Sequence, residues 1–305
     1  LYHVQHVVRL PNKDGRAYFA VTQSRAHNGW LSVMRTYPDR IDPVTDRVIP
    51  SDSGAPIGEY VWQDLYGGPA LGQFNPIGNW NHPCKMELIG NVLVVLQQNW
   101  EANVFCRSAA MGVSEDALLF YDVRDPENPV YWGMIPAYEL GMGNDPNRDI
   151  LDGVGILRDP ETGKYILRAQ GTNGQVSWIS DTISPDIGDW RKLESLVGVT
   201  GQHGMLFNSF QINTEPGRIP RERVMWYRRG ERGHEFFNLV NSQVSLERSS
   251  NSVVYAGGLP GADRDWDASS LYVTRRGVPI IYGMRSTFGE SGRLYQVTDS
   301  RNNDL

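Results

Sequence analysis

Five polar residues of the kind that bind metals or transfer protons recur at one place in a repeated pattern of short strands. They are His3, His82, Asp152, His203 and Asp267, and each stands where the first strand of its repeat begins. Equivalent positions of a repeat array come together when the repeats close into a ring. The spacing therefore predicts three imidazoles and two carboxylates gathered around one axis.

The three histidines are candidate metal ligands. Imidazole nitrogens and carboxylate oxygens together suit a divalent metal ion, so His3, His82 and His203 predict a metal site on the axis. No compact local motif accompanies them. An alternative therefore stays open, in which each polar side chain hydrogen-bonds a neighbouring repeat or a water molecule in the central channel.

Carboxylates near these positions are candidates for acid–base chemistry. Hydrolysis of a glycosidic bond uses two carboxyl groups about 5–10 Å apart, and Asp152, Asp267 and Glu235 could supply them, with Glu101 and Asp116 as further candidates. Carboxylates beside strand starts can instead be simple turn acceptors.

Other residues in the same loops could bind a sugar. Aromatic rings stack on the apolar C–H face of a sugar, although tryptophans can equally pack between repeats. The candidate ligand-binding residues are Trp80, Asn81, Trp100, Glu101, Asn173, Arg232, Trp266 and Arg285.

Short strands are the elements that must position these residues. The second repeat is the clearest, with strands at 82–89, 91–98, 116–123 and 129–136 and the two-residue turn Gly90-Asn91. In the first repeat the corresponding turn is predicted at Pro11–Gly15. Four antiparallel strands per repeat make one blade of a propeller. The sequence predicts an all-β, five-bladed β-propeller of four-stranded antiparallel blades, without a helix of useful length.

The two faces of such a propeller differ in their loops. The top face carries the loops that lead into the first strands and the loops that join the second strand to the third. The bottom face carries the remaining turns, such as Gly90-Asn91, Asp125–Pro129 and Arg275–Gly277, which have ordinary turn chemistry. The unusual polar residues belong to the top face, so we expect the functional site there, at the mouth of the central channel.

Composition limits the function classes. Blades cannot bury their faces alone, so residues 1–305 are predicted to form a single propeller domain. The net charge of −6 and the isoelectric point near 5.6 argue against a nucleic-acid surface. No apolar run reaches the 18 residues of a membrane span. The chain begins at a strand with no signal-like segment, as expected for a mature exported protein or for one that never had a signal.

The two cysteines, Cys84 and Cys106, fall at the same end of the second blade. A disulfide between them is therefore predicted, with two separate buried thiols as the alternative. A disulfide favours an exported protein, secreted or periplasmic.

Several segments resemble a known group. The stretches "HPCKMELIGNVLVVL", "LLFYDVRDPENPV", "GVGILRDPETGKYILRAQG" and "WDASSLYVTRRGVPIIYGM" are similar to exported bacterial propellers related to the LVIVP-repeat proteins. The resemblance covers roughly residues 79–285 and implies a propeller fold and export, without a reaction. Cys84-Lys85 stands where that group has Gly-Gly.

A second resemblance is to five-bladed glycosidases that act on furanosides and fructans. The segment "GKYILRAQGTNGQVSWISD…DWRKL" is similar to the blade of those enzymes that runs from a Gly-Lys-Tyr strand to a Ser-Asp…Trp turn. The resemblance implies a supporting acid at Asp152 and a general acid at Glu235. His3 and Val4 stand where those enzymes place a catalytic Asp.

Together these observations predict an exported propeller that binds a glycan or another small polar ligand at its axis. Two alternatives are a carbohydrate-active hydrolase that uses the carboxylates of the same face and a metal-dependent enzyme with a histidine-lined site. A protein-interaction platform also remains open.

Overall fold

The computed structural model describes residues 3–25, 28–51, 55–66, 82–98, 116–141, 151–158, 162–171, 174–193, 205–212, 221–230, 233–240, 245–254, 268–274, 279–285 and 293–298. In residues 205–254 and at single positions elsewhere it describes the backbone only.

The described residues form five antiparallel sheets in which the strands pair in chain order. Sheet 1 contains β1 His3–Lys13, β2 Arg16–Arg25, β3 Asn28–Thr36 and β4 Gly58–Tyr66. Sheet 2 contains β5 His82–Ile89, β6 Val92–Gln98, β7 Ala117–Asp122 and β8 Val130–Pro136. Sheet 3 contains β9 Leu151–Arg158, β10 Tyr165–Gly171, β11 Gly174–Ser180 and β12 Arg191–Leu193. Sheet 4 contains β13 Met205–Ile212, β14 Arg221–Gly230, β15 Gly233–Val240 and β16 Ser245–Val254, and sheet 5 contains β17 Ala268–Val273, β18 Pro279–Arg285 and β19 Arg293–Thr298.

The first strands of the sheets lie at the centre of the molecule. Strand β1 contacts β5, β5 contacts β9, β9 contacts β13, β13 contacts β17, and β17 contacts β1. Each of these strands is the edge strand of its own sheet. Sheets whose inner edges meet in a closed cycle form a propeller.

Alternate residues of the middle strands pack against different neighbouring sheets. On β6, Leu93 and Val95 pack in a cluster with sheet 1, whereas Val94 and Leu96 pack in a cluster with sheet 3. A strand that is buried on both faces needs a continuous apolar run rather than an alternating one. This packing explains why the sequence "NVLVVLQQ" shows no alternation.

Tight turns join the first and second strands at the bottom face. Asp14 and Gly15 have φ values of 52° and 69°, as the central residues of a type I′ hairpin turn require. Gly90 has a φ of 59° at the predicted Gly90-Asn91 turn. The turn predicted at Pro11–Gly15 is wrong in its extent, because β1 continues as a paired strand through Lys13.

A partly buried polar cluster, the Arg9 clasp, joins sheet 1 to sheet 5 near the bottom face; it consists of Arg9, Asn12, Asp46 and Tyr272. The Arg9 guanidinium carbon lies 5.0 Å from the ring centre of Phe19 and 5.2 Å from that of Tyr272. Asp46, in the loop between β3 and β4, accepts hydrogen bonds from Asn12 and Tyr272 and lies 3.7 Å from Arg9 Nη2. Among the described residues, no strand is shared between sheets 1 and 5, and these side chains bind one sheet to the other.

The predicted fold class, an all-β propeller of antiparallel four-stranded sheets, is confirmed. The number of blades stays a prediction, since sheet 5 has three strands within the described residues. The sequence did not predict the outer strands β4 and β16. Within the described residues, the helix that forms is the 3-10 helix Ile187–Asp189, and no helix is long and apolar enough to cross a membrane.

Candidate functional site

The backbone places three of the five axial positions at the top face. His3 is the first residue of β1, His82 is the first residue of β5, and Asp152 is the second residue of β9. Strand β13 begins two residues after His203, and β17 begins directly after Asp267. These last two residues lie outside the described part of the chain.

Glu235 and Arg285 also lie toward the top face. Met205, the first residue of β13, pairs with Arg228, and Arg228 pairs with Glu235. Glu235 is therefore level with the start of β13, two strands farther from the axis. Arg285 is the last residue of β18, which ends beside the start of β17.

Most of the predicted site residues lie outside the described part of the chain or have only a described backbone. Outside the described residues are Trp80, Asn81, Trp100, Glu101, Asn173, His203, Arg232, Trp266 and Asp267. For His3, Asp152, Glu235 and Arg285 only the backbone is described. Described side chains are those of His82 and of the further candidate Asp116.

Asp152 occupies a bulge in β9. Gln170 pairs with Gly153 and Gly171 pairs with Leu151, so that Asp152 is the extra residue between two paired positions. A bulge bends the strand and redirects a side chain, and bulges are common beside active sites. The sequence pattern did not reveal this feature.

Comparable register shifts occur in other strands near the top face. They fall between Val4 and His6 of β1, between Pro83 and Met86 of β5, and between Glu235 and Phe237 of β15. Asp152 and Glu235 therefore both adjoin an irregularity in their sheet.

His82 is half-buried and forms a hydrogen bond that determines its tautomer. Its Nδ1 lies 2.9 Å from Gln98 Oε1. Gln98 Nε2 donates to the Leu151 carbonyl oxygen at 2.6 Å, which orients the amide, because a carbonyl oxygen can only accept. Gln98 Oε1 therefore faces His82 and accepts from it. Neutral His82 carries its proton on Nδ1, and Nε2 is the basic nitrogen.

Asp116 binds the backbone of β9 from the neighbouring sheet. Its Oδ2 accepts a hydrogen bond from the Leu151 amide at 2.9 Å. The residue is 1% exposed, and its backbone oxygen accepts from the Ala137 amide at 2.8 Å. The sequence-based interpretation of Asp116 as a candidate hydrolytic carboxylate is therefore replaced by a structural role.

The sequence analysis did not assign a role to Gln98. The signal that was present is the polar pair Gln97-Gln98 at the end of an otherwise apolar strand. Both side chains are buried, Gln97 at 0% and Gln98 at 3% exposure, and buried polar groups require partners.

Cys84 is a buried thiol and is not part of a disulfide. Its Sγ lies 3.2 Å from His82 Nδ1 and 3.2 Å from Gln98 Oε1. The predicted disulfide with Cys106 is therefore not supported, because the sulfur packs against His82 and Gln98 instead. Cys106 lies outside the described residues, and export stays a prediction without this support.

The predicted metal site stays a prediction. Within the described residues, no group of three or more His, Cys, Asp or Glu side chains is arranged to hold a metal ion. The predicted ligand set also needs His3 and His203, whose side chains are not described.

Comparison with known proteins supports the fold. No protein-family model and no curated protein matches the chain in sequence. The chain is similar to the catalytic domain of a GH62 α-L-arabinofuranosidase from Coprinopsis cinerea, with a TM-score of 0.52, 10% identity and coverage of 98% of this chain and 92% of that chain. An endo-arabinase from Bacteroides thetaiotaomicron has a TM-score of 0.48 at 10% identity and covers 99% of this chain and 95% of its own. An endo-1,4-β-xylanase from the same organism has a TM-score of 0.48 at 9% identity, with coverage of 99% and 93%.

At these identities the likeness establishes the fold alone: this chain has the β-propeller architecture of that arabinofuranosidase domain. The resemblance to propeller glycosidases is supported at this level. The comparisons contain no support for the resemblance to LVIVP-repeat proteins.

Proposed function

We propose that this protein binds a glycan at the top face of the propeller, around the central axis. The observation that carries the proposal is the placement of His3, His82 and Asp152 at the starts of three inner strands, which contact one another in sequence around the ring. Sites on a rigid scaffold commonly use such loop-proximal positions.

Residues that adjoin these strand ends in the sequence have the side-chain chemistry that a sugar needs. Trp80, Trp100 and Trp266 offer aromatic surfaces for the apolar faces of sugar rings. The polar residues Asn81, Glu101, Asn173, Arg232 and Arg285 offer donors and acceptors for hydroxyl groups. The fold shared with an α-L-arabinofuranosidase domain makes arabinofuranosides a sensible first class of ligand to test.

We further propose hydrolysis of the bound glycan as the reaction. In this scheme Glu235 is the general acid that protonates the leaving-group oxygen, and Asp267 is the base or nucleophile on the opposite side of the sugar. Asp152 is the supporting acid: its negative charge raises the pKa of the general acid and keeps it protonated. The support is that Asp152 and Glu235 both adjoin register shifts toward the top face.

A glycan array combined with a reducing-sugar assay tests both parts. We expect binding to arabinose-containing glycans, release of reducing ends, and losses of at least tenfold in kcat for Asp152→Asn and Glu235→Gln. Asp122→Asn, on β7 near the bottom face, is the control and should retain activity. Binding without turnover would contradict the proposed hydrolysis. The absence of any glycan binding would contradict the proposal as a whole.

A metal-dependent reaction is the second candidate, and the tautomer of His82 favours it. A histidine that donates Nδ1–H to an oxygen acceptor presents Nε2 with its lone pair, which is the arrangement found in many metal-binding histidines. His3 and His203 would complete a divalent-metal site with it. Elemental analysis should then find stoichiometric metal that is lost in the His82→Ala, His203→Ala double variant. Metal-free protein that retains full activity would contradict this candidate.

A further inference from the structure

Both polar backbone groups of Leu151, the residue before Asp152, are bound by side chains of the neighbouring sheet. The amide donates to Asp116 Oδ2 at 2.9 Å, and the carbonyl oxygen accepts from Gln98 Nε2 at 2.6 Å. The two side chains are 1% and 3% exposed. Water therefore does not compete for these bonds, and both contribute to holding one residue in place.

These bonds act at the end of β9, beside the bulge. Leu151 is the terminal residue of an edge strand, and the bulge at Asp152 separates it from the regular pairing that begins at Gly153. Strand ends beside a bulge lose ladder hydrogen bonds and would be free to vary in direction. Leu151 still pairs with Gly171 of β10, and the two bonds from sheet 2 add a second set of contacts to its backbone.

We propose that Gln98 and Asp116 are positioning residues for Asp152: by clamping the backbone of Leu151 they fix the bulge and so the placement of the supporting carboxylate. This inference rests on the proposed role of Asp152 in hydrolysis. The sheet 2 side chains themselves need not touch the substrate.

The side-chain amide of Gln98 also binds His82, a second axial position. We call the two bonds from Gln98 and Asp116 to Leu151 the clamp. Gln98 Oε1 accepts from His82 Nδ1 at 2.9 Å while its Nε2 holds Leu151. One side chain thus sets both the tautomer of His82 on β5 and the start of β9. A change at Gln98 is therefore expected to disturb the top face at two neighbouring strands, although the residue is buried below it.

The test compares Gln98→Met with Gln97→Met. Both replace a buried glutamine of β6 by an apolar side chain of similar size. Side chains alternate between the two faces of a strand, so Gln97 lies on the face that packs with sheet 1 and not with sheet 3. Asp116→Ala is the second variant, and Asp116→Asn, which keeps an oxygen acceptor, should rescue it. Melting temperature and circular dichroism check that each variant is folded.

Two readouts are followed on the full chain, with 4-nitrophenyl α-L-arabinofuranoside as the substrate probe. Hydrogen exchange at the Leu151 amide should rise at least tenfold in Asp116→Ala, which removes the acceptor of that amide. It should rise less in Gln98→Met, which releases the carbonyl oxygen of the same residue, and stay unchanged in Gln97→Met. In Gln98→Met and Asp116→Ala, kcat should fall about 10- to 100-fold with KM within threefold. The basic limb of the kcat/KM pH profile should also move to lower pH, because a displaced Asp152 carboxylate no longer raises the pKa of the general acid.

A double-variant cycle separates this inference from the proposed function. Gln98→Met should cause no further loss of kcat in an Asp152→Asn background. Unchanged exchange at Leu151, or an undiminished effect of Gln98→Met in that background, would overturn the positioning role. If Asp152→Asn itself leaves kcat unchanged, the proposed function fails, and the exchange measurement still decides whether the clamp exists.

Discussion

At the scale of single residues, Asp125 shows how a local bond makes stability depend on pH. Its Oδ1 accepts from Lys13 Nζ at 2.7 Å and its Oδ2 from Asn128 Nδ2 at 2.8 Å, and these bonds lower the pKa of Asp125 to about 2. The unfolded value is about 3.9, so the folded state holds the proton less tightly. This contribution to stability is complete above about pH 4 and is lost as the pH falls toward 2.

Asp125→Asn should therefore lower the melting temperature at pH 6, and its difference from the wild type should shrink as the pH falls from about 4 to 2. The residue is 45% exposed in its side chain, so the shift in melting temperature is expected to be small. Asp39→Asn, at an exposed aspartate outside this ion pair, is the control. A constant difference between wild type and Asp125→Asn across this pH range would contradict the assignment.

The residue scale also shows what a sequence can and cannot predict about a site. The repeat pattern alone predicted that His82 begins an inner strand, because the apolar run that follows it and the Gly90-Asn91 turn mark the bounds of that strand. The sequence did not predict that Gln98 and Asp116 bind the backbone of Leu151. Those bonds span 53 and 35 residues along the chain and depend on how sheets 2 and 3 are set against each other.

At the scale of elements, the hairpin between β5 and β6 depends on one backbone conformation. Gly90 has a φ of 59°, and a Cβ built on it would meet nothing within 4 Å. A substitution there is therefore opposed by the backbone conformation and not by crowding. Gly90→Ala should reduce the free energy of unfolding by about 1–2 kcal/mol.

Gly90→Asn provides the matched comparison, since asparagine tolerates a positive φ better than alanine does. In urea unfolding, the wild type should be the most stable of the three proteins, Gly90→Asn less stable, and Gly90→Ala the least stable. Equal stability of the alanine and asparagine variants would show that the turn does not require the left-handed conformation.

Strands with a clear apolar pattern and recognisable turn residues could be predicted from the sequence. Features that depend on pairing with another strand could not. The four strands of sheet 2 follow from apolar runs bounded by Gly90-Asn91 and Asp125–Pro129, which act through local turn preferences. The outer strand β4, "GEYVWQDLY", carries charged and exposed residues that weaken its pattern. The bulge at Asp152 is a property of pairing between two strands, which residue types alone do not reveal.

At the scale of the whole molecule, side chains bind the described residues of sheet 1 to those of sheet 5. The Arg9 clasp buries a guanidinium whose ionic partner is Asp46, and the Val48 amide of the same loop donates to Gln296 Oε1 on β19 at 2.9 Å. Removing one partner of a buried ion pair leaves an uncompensated charge, which is strongly destabilising.

Asp46→Asn should lower the free energy of unfolding by about 2–4 kcal/mol. Asparagine accepts the positive φ of 58° at this position, so the loss reports the missing charge together with the one hydrogen bond that the amide nitrogen cannot accept. The control is Asp122→Asn, because the ionic partner of Asp122, Arg124, is 76% exposed. Losing this exposed ion pair should lower the free energy of unfolding by about 0–1 kcal/mol. Equal effects of the two variants in urea unfolding would contradict a role of the clasp in binding sheet 1 to sheet 5.

The most direct test of the proposed function is the position of a bound sugar in crystals soaked with arabino-oligosaccharides. We expect sugar density at the top face, around the axis and within contact distance of His82 and Asp152, and its loss in a Trp80→Ala, Trp266→Ala variant. Sugar bound only at the bottom face or on the outer strands would contradict the placement of the site.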